Sequence, residues 1–354
     1  MSEGRPGAGA DGRAPPAEAA LAALGVFRIP VPVPFPQAGG PVNVYLIEDL
    51  GGGYLLFDSG LGTPEALAAL EAGFARLGRR FDEVTRIVVS HGHVDHFGAA
   101  RFVQERHGGK VPVAAHPADI PKMAEGGRRW RDVLPHYARH LARLGVPAEV
   151  LATVAQEGER GFGLARRLPE VGELREGAVL RTRHLELEVL HMPGHTPGLL
   201  CLYARRERLF LSDDHLLEKV SPNPLIELGP DGSPGHFRPL LAYLGSLARL
   251  RELEVDLVLP GHGPPFSGHR EVIDRLLGFF ARRQEKILGL LEAGPRSAYE
   301  VSRGLFPTTG PRETFLTISE TVAHLEALEA RGAVACEQDP EPWRWRVARP
   351  AGPG

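Results

Sequence analysis

The sequence predicts a layered α/β fold, and three observations carry that expectation. Short apolar runs rich in β-branched residues alternate with amphipathic stretches over roughly the first 275 of 354 residues. Several of these runs end on histidine or aspartate beside glycine, proline or another polar residue. Past about residue 275 the texture changes to three helical stretches followed by two short strand-like runs.

Taken in order, Val26 to Val33, Val42 to Glu48 and Tyr54 to Phe57 read as strands, the last two joined through Gly51-Gly52-Gly53. A helix is expected from Pro64 to Leu77. Strands then recur at Arg86 to Ser90 and Val111 to Ala115. From residue 117 to about 168 the pattern is helical, with candidates at Trp130 to Leu144 and Pro147 to Leu168. That is an insert of two or three helices. The strand period returns at Val179 to Arg183, Leu185 to Leu190, Leu199 to Tyr203, Arg208 to Leu211 and Val255 to Leu259. In the C-terminal part, Gln284 to Leu291, Ala298 to Leu305 and Thr314 to Ala330 read as helices. Ala333 to Glu337 and Trp343 to Val347 read as a hairpin, an arrangement of winged-helix type. The boundaries are therefore a flexible tail over 1–24, a catalytic domain over 25–275, a winged-helix-like domain over 276–348 and a tail over 349–354.

Composition bounds the function classes. Hydrophobic residues make up 43% and charged residues 24%, as in a globular protein. The formal net charge of -3 carries no polyanion-binding signature. Cys201 and Cys336 are the only cysteines and make no disulfide framework, which fits a reducing cytoplasm. No apolar run reaches the roughly 18–20 residues of a membrane span. The first 23 residues lack the apolar core of a secretion signal.

The chemistry concentrates in His91-Gly92-His93-Val94-Asp95-His96, where a strand ends and a helix begins. Several protonated imidazoles so close would repel one another. A metal cation removes that conflict, because it takes neutral imidazole and ionised carboxylate. Other strand ends deliver Asp58, His195, Asp214 and His262. Same-sense ends of parallel strands meet at one sheet edge, so these residues are expected to converge.

His-x-His-x-Asp-His followed by later His, Asp and His residues resembles the signature of the metallo-β-lactamase superfamily, over roughly residues 25–275. The resemblance implies a four-layer αββα sandwich and two divalent metal ions. His91, His93 and His195 would hold one ion. Asp95, His96 and His262 would hold the other, with Asp214 bridging and Asp95 also orienting the nucleophile. Asp58 matches a buried acid that supports a ligand by hydrogen bonding. Relatives usually carry Gly-Asp at the bridge, whereas this chain has Asp213-Asp214. The register with His215-Leu216-Leu217 favours Asp214, and Asp213 is the substitute. Imidazole and carboxylate without thiolate suit Zn2+ first, with Fe2+ or Mn2+ tolerated.

The reaction implied is hydrolysis of a small-molecule carbonyl ester, thioester or lactone by a hydroxide shared between the metals, as in glyoxalase II and lactonase-type members. The stretch Leu216 to Leu228 resembles a branch with a C-terminal winged-helix-like domain. A related RNA-cleaving branch makes a nuclease or phosphodiesterase the first alternative. Nucleic acid is disfavoured by Glu313, Glu320, Glu326 and Glu329 on the would-be recognition helix, against Arg344 and Arg346 in the wing. The second alternative is a sensor whose C-terminal part dimerises or binds DNA. A homodimer is suggested by the apolar side formed by Leu316, Ile318, Val322, Leu325 and Leu328. A single-iron dioxygenase is disfavoured because Asp95, His96 and His262 complete a second site, and β-lactam hydrolysis by the bridging Asp214 and the lack of an export signal. His116 and His215 are candidates for the pocket lining or for ligand support, and so are Leu134, Leu141, Leu144 and Val154 of the insert for a substrate's apolar part, although packing on the core is the preferred explanation of these four. His136 and His140, four apart on a helix, are read as a solvated face.

Overall fold

The computed structural model describes residues 16–34, 39–125, 127–160, 163–229 and 237–348. Two sheets face each other. The first runs β1 (Val26–Val31), β2 (Val42–Glu48), β3 (Tyr54–Phe57), β4 (Val84–Val88), β5 (Val113–Ala115) and β6 (Gly172–Glu173) in spatial order. Its first three strands pair antiparallel and β3 to β6 pair parallel. The second holds β7 (Val179–Arg181), β8 (Glu186–His191), β9 (Leu200–Ala204), β10 (Leu209–Asp213) and β11 (Leu257–Pro260), in spatial order β11-β10-β9-β8-β7. Only β10 and β11 are parallel there.

The period of two explains the layering. Along β2, Tyr45 and Ile47 face the second sheet and pack with Leu200, Leu202 and Leu211. The alternate residues Val42, Val44 and Leu46 face outward. There they meet Leu70 and Phe74 of α2 (Pro64–Arg76) and Val103 of a helix over Ala100–Arg106. Along β9, Cys201 and Tyr203 face outward onto Tyr243 and Leu247 of a helix over Pro239–Arg251. Helix, sheet, sheet, helix is the αββα order expected. The start of α2 is set locally: Pro64 opens the helix and the Thr63 hydroxyl accepts the Ala66 N–H at 3.3 Å. Cys201 is a buried free thiol whose S–H donates to the Ser212 carbonyl.

Several expectations need correction. Residues 16–23 are not tail but a helix, α1, with Leu21 buried against Val26 and Tyr45; residues 1–15 and 349–354 lie outside the described residues. The helix over Pro239–Arg251 escaped the sequence reading. The boundary at 275 falls inside one continuous helix, His269–Glu292. Its first half, Val272 to Phe280, packs on the second sheet's outer face. Its second half, Ile287 and Leu291, packs with the C-terminal elements.

Those elements are helices Ala298–Leu305 and Thr314–Ala330 and the hairpin β12 (Val334–Glu337) and β13 (Arg344–Val347). They share one core with the insert, whose main helices span Gly127–Arg143 and Ala148–Arg160. Val133, Tyr137, Leu141 and Leu144 sit at helical spacing on one face and enter that core. The insert's apolar residues are therefore largely packing residues. Ile318, Val322, Leu325 and Leu328, which suggested a homodimer, are buried in the same core within one chain. Arg344 and Arg346 pair with Glu300 at 3.3 Å and Glu337 at 2.6 Å.

His140 does not share a solvated face with His136. It is buried, with its ring edge-on to Trp343 at 5.8 Å. His324 is fully buried against Phe280. Burial pushes His140 down to about 4 and His324 down to about 3. Both are neutral in the fold, while unfolded histidine titrates near 6.5. Their full contribution to stability is present above about pH 6.5 and is lost as pH falls toward 4 and 3. Between pH 7.5 and 5 this amounts to about 1–2 kcal/mol per histidine. Urea unfolding at the two pH values should show a smaller loss in a His140→Leu/His324→Leu variant than in the parent. Equal losses would sink the assignment.

Candidate metal centre

Asp58 follows β3 and the 91–96 segment follows β4, so two adjacent parallel strands carry them to one edge. His93 caps a single helical turn, Val94–Phe97, that projects Asp95 and His96. The second sheet supplies the remainder from the same side. His195 lies in the turn after β8, Asp213 and Asp214 end β10, and His262 follows β11.

The ring nitrogens and carboxylates form two trios. In the first, His93 Nδ1 lies 3.0 Å from His91 Nε2 and 2.9 Å from His195 Nε2. In the second, Asp95 Oδ2 lies 3.5 Å from His262 Nε2 and 3.8 Å from His96 Nε2. Asp214 stands between them. Its Oδ2 is 3.4 Å from His195 Nε2 and 3.5 Å from His96 Nε2, and its Oδ1 is 3.7 Å from His262 Nε2. Among the described residues, His96 Nε2 and Asp214 Oδ1 are buried with no hydrogen-bond partner. Tetrahedral ligands at about 2.0–2.1 Å from Zn2+ lie about 3.3 Å apart. The donor spacing, the orphaned buried atoms and the absence of thiolate fit two divalent cations.

The far side of each ring sets its tautomer. His91 Nδ1 lies 2.9 Å from Ser90 Oγ and 3.1 Å from Asp213 Oδ1. His96 Nδ1 lies 2.9 Å from Asp58 Oδ2, His195 Nδ1 3.1 Å from the Asn223 carbonyl and His262 Nδ1 3.1 Å from the Gly40 carbonyl. With Nδ1–H directed outward, four Nε2 lone pairs face the interior. Asp58 also accepts the Ser90 N–H and O–H at 2.7 and 2.8 Å. Asp58 and Asp213 both adopt left-handed backbone, φ 62° and 48°, which aspartate tolerates better than most residues. Asp213 thus stands behind His91 and its Oδ1 accepts the Asp214 N–H at 2.8 Å, leaving the position between the trios to Asp214. Gly261 is required by space, since a Cβ there would lie 2.3 Å from Asp214 Oδ1.

Burial and mutual charge shift these groups apart. Burial, reinforced by neighbouring imidazoles, holds His93 well below the usual histidine range. Burial takes His195 down to about 4 against the pull of Asp214. For His96 burial also acts downward, but Asp213, Asp95 and Asp214 outweigh it and hold it well above its range. His262 is raised to about 9 because Asp214 and Asp95 overcome its burial. Asp58 is pushed up by burial and by Asp213, while the histidines hold Asp213 and Asp214 down despite burial.

His116 does not join this cluster. Its ring stacks on His191 at 4.0 Å and accepts the Ala118 N–H. His215 is buried behind the site, edge-on to Tyr243, and both its ring nitrogens lack partners among the described residues. Burial takes it down to about 3.

The sequence reading missed the residues that hold the loops. Asn43 Nδ2 donates to the Pro260 and Gly263 carbonyls at 2.8 and 2.7 Å, and Tyr45 Oη donates to Pro260 at 2.7 Å. Together they bracket His262. Asp119 Oδ2 accepts Gly92 N–H at 3.0 Å and Thr196 Oγ–H at 2.6 Å, tying the 91–93 turn to the His195 turn. Lys122 pairs with Asp119 and with Glu227. An amide inside the apolar run Val42-Asn43-Val44-Tyr45 is the signal that could have found the first of these, because a buried amide must be hydrogen-bonded.

Comparison with known proteins agrees with this geometry. Residues 38–262 match the family model described as the metallo-beta-lactamase superfamily. A probable metallo-hydrolase of Bacillus subtilis, YqjP, is 32% identical over 311 residues, covering 87% of this chain and 93% of that protein. The chicken acyl-coenzyme A thioesterase MBLAC2 is 28% identical, covering 67% of this chain and 77% of its own. The crystal structure of a metallo-beta-lactamase family protein from Thermus thermophilus, TTHA1429, superposes with a TM-score of 0.75 at 33% identity, covering 91% of this chain and 98% of that one. The chain therefore belongs to the metallo-beta-lactamase superfamily.

Proposed function

We propose that this metallo-hydrolase holds two divalent cations and cleaves a carbonyl ester or thioester. The observation that carries the reading is the pair of trios sharing Asp214. His91, His93 and His195 would hold one ion and Asp95, His96 and His262 the other, with Asp214 reaching both. Two such cations would supply a bound water of pKa about 7 and a Lewis acid for the carbonyl. The chain's own residues keep the lone pairs in place. Asp58 fixes His96, Asp213 fixes His91, and the Asn223 carbonyl fixes His195. Zn2+ is the proposed ion on its preference for mixed nitrogen and carboxylate donors. The thioesterase activity in the name of the MBLAC2 relative supports a thioester over a phosphodiester. So does the wing, whose Arg344 and Arg346 are each engaged by a glutamate.

A panel of chromogenic thioesters, esters, lactones and phosphodiesters, with bound metal measured alongside, tests the reading. About two ions per chain and turnover of carbonyl substrates are expected. Turnover of the phosphodiester alone would reverse the preference.

The two adjacent aspartates should separate cleanly. Asp214→Asn should strip ions from both trios and abolish turnover. Asp213→Asn should keep most of the metal and lose about 10–100-fold in kcat/KM, the usual cost of removing a group that orients a ligand. The reverse ranking would make Asp213 the shared ligand.

Asn43→Ala should lower occupancy of the ion held by His262 while leaving the ion of the first trio, so metal analysis should approach one equivalent. Full occupancy with unchanged kcat would show that Tyr45 alone secures the loop.

A further inference from the structure

Between the insert and the C-terminal elements lies a cavity of about 370 Å³. None of its lining residues belongs to the metal-binding groups. The segment around Pro224 to Leu228 forms one wall, and helix Thr314–Ala330 and the hairpin form others. Its size is within the roughly 300–1,000 Å³ of small-molecule sites.

Its chemistry is selective. Three carboxylates line it, Glu227, Glu326 and Glu329, against one guanidinium, Arg238. Lys122, outside the wall, answers Glu227. One carboxylate is left in surplus. Glu326 makes no hydrogen bond or close ion pair among the described residues; burial and neighbouring Glu329 push its carboxyl up to about 7, while Arg238, the one guanidinium of the lining, pulls the other way and is shared by the two glutamates. A further polar group lacks a partner there: His140 is 7% exposed, and its unpaired Nδ1 can accept a hydrogen bond from an ammonium. Trp343 lines the same space. A cavity lined by a surplus, half-buried carboxylate and by two indoles can take an alkylammonium, through charge and through aromatic contact.

We propose that this cavity is a second ligand site, separate from the metal centre, that takes a monovalent organic amine carrying an apolar body. The ammonium sits at Glu326 and the body lies against Trp343 and Trp345. This goes beyond the hydrolase reading and does not depend on it.

The test titrates 2-phenylethylamine into the full-length, metal-loaded protein, read by tryptophan fluorescence and calorimetry. Two of the chain's three tryptophans line the cavity. Phenylacetate, the same body with the opposite charge, is the control. A saturable signal is expected for the amine, about tenfold or more tighter than for phenylacetate. Glu326→Gln should weaken the amine by about tenfold or more, with unchanged circular dichroism and metal content. If Glu326→Gln does not fold, Glu326→Met, which removes the same charge and suits a half-buried position, is expected to show the same loss. Binding should persist in Asp214→Asn, because the metal centre is elsewhere. Equal affinity for amine and phenylacetate, parental affinity in the glutamine variant, loss of binding in Asp214→Asn, or no saturation by about 10 mM would each overturn the proposal.

Discussion

Five histidines and four aspartates share one nearly dry pocket, and the cost of burying that charge shapes everything around it. Left to themselves, the carboxylates Asp95, Asp213 and Asp214 force protons onto His96 and His262. Meanwhile burial, reinforced by other imidazoles, holds His93 and His195 below the usual histidine range. A divalent cation in each trio would resolve both tensions, because it would replace the protons and attract the carboxylates. The outward-facing anchors then have a clear purpose. Asp58, Asp213 and backbone carbonyls hold the Nδ1 side of four rings, so that the Nε2 side faces inward.

The pocket draws its donors from both sheets, so their relative placement decides whether a metal fits. Three contacts bind the sheets beside the site. Leu200 N–H donates to the Ser90 carbonyl at 2.8 Å, Asn43 N–H donates to the Gly261 carbonyl at 2.7 Å, and Tyr45 Oη reaches Pro260. Asp119 adds a side-chain tie between the His91–His93 turn and the His195 turn. These contacts keep donors from separate strands within reach of a common ion, a tolerance on the order of a few tenths of an ångström.

The C-terminal elements are not a free module. They share a core with the insert, and Trp343 N–H and Tyr299 N–H donate to the Arg143 and Leu144 carbonyls. Between them and the metal pocket runs the segment after Asn223. Asn223 Nδ2 donates to the Leu316 carbonyl at 3.2 Å while its own carbonyl faces His195. Ile226 N–H donates to Ser319 Oγ at 3.3 Å, and Tyr137 Oη donates to the Ile226 carbonyl at 3.1 Å. One metal-facing histidine is therefore positioned by a strap that the insert and the C-terminal helices hold together.

Much was legible along the chain because its cause is local. The alternation of β2 and β3, the cap of α2, the apolar face of helix Gly127–Arg143 and the His-x-His-x-Asp-His segment are each written within a few residues. Strand ends carrying His or Asp then implied convergence, since parallel strands share an edge. What escaped depends on partners far apart in sequence. Of the helix crossing residue 275 only Gln284 to Leu291 is legible along the chain, because its two halves bury against different cores. The stripe from Ile318 to Leu328 looks unpartnered until the insert folds over it. Asp213 and Asp214 are chemically identical neighbours. Only a left-handed φ of 48° at Asp213, at the register shift where β10 meets β11, turns one carboxylate behind His91 and leaves the other between the trios. The sequence by itself determined the elements and the ligand types, because propensity and donor chemistry are local. Tertiary structure decided where each of those side chains stands relative to the others, because direction and distance exist only once separate strands are packed together.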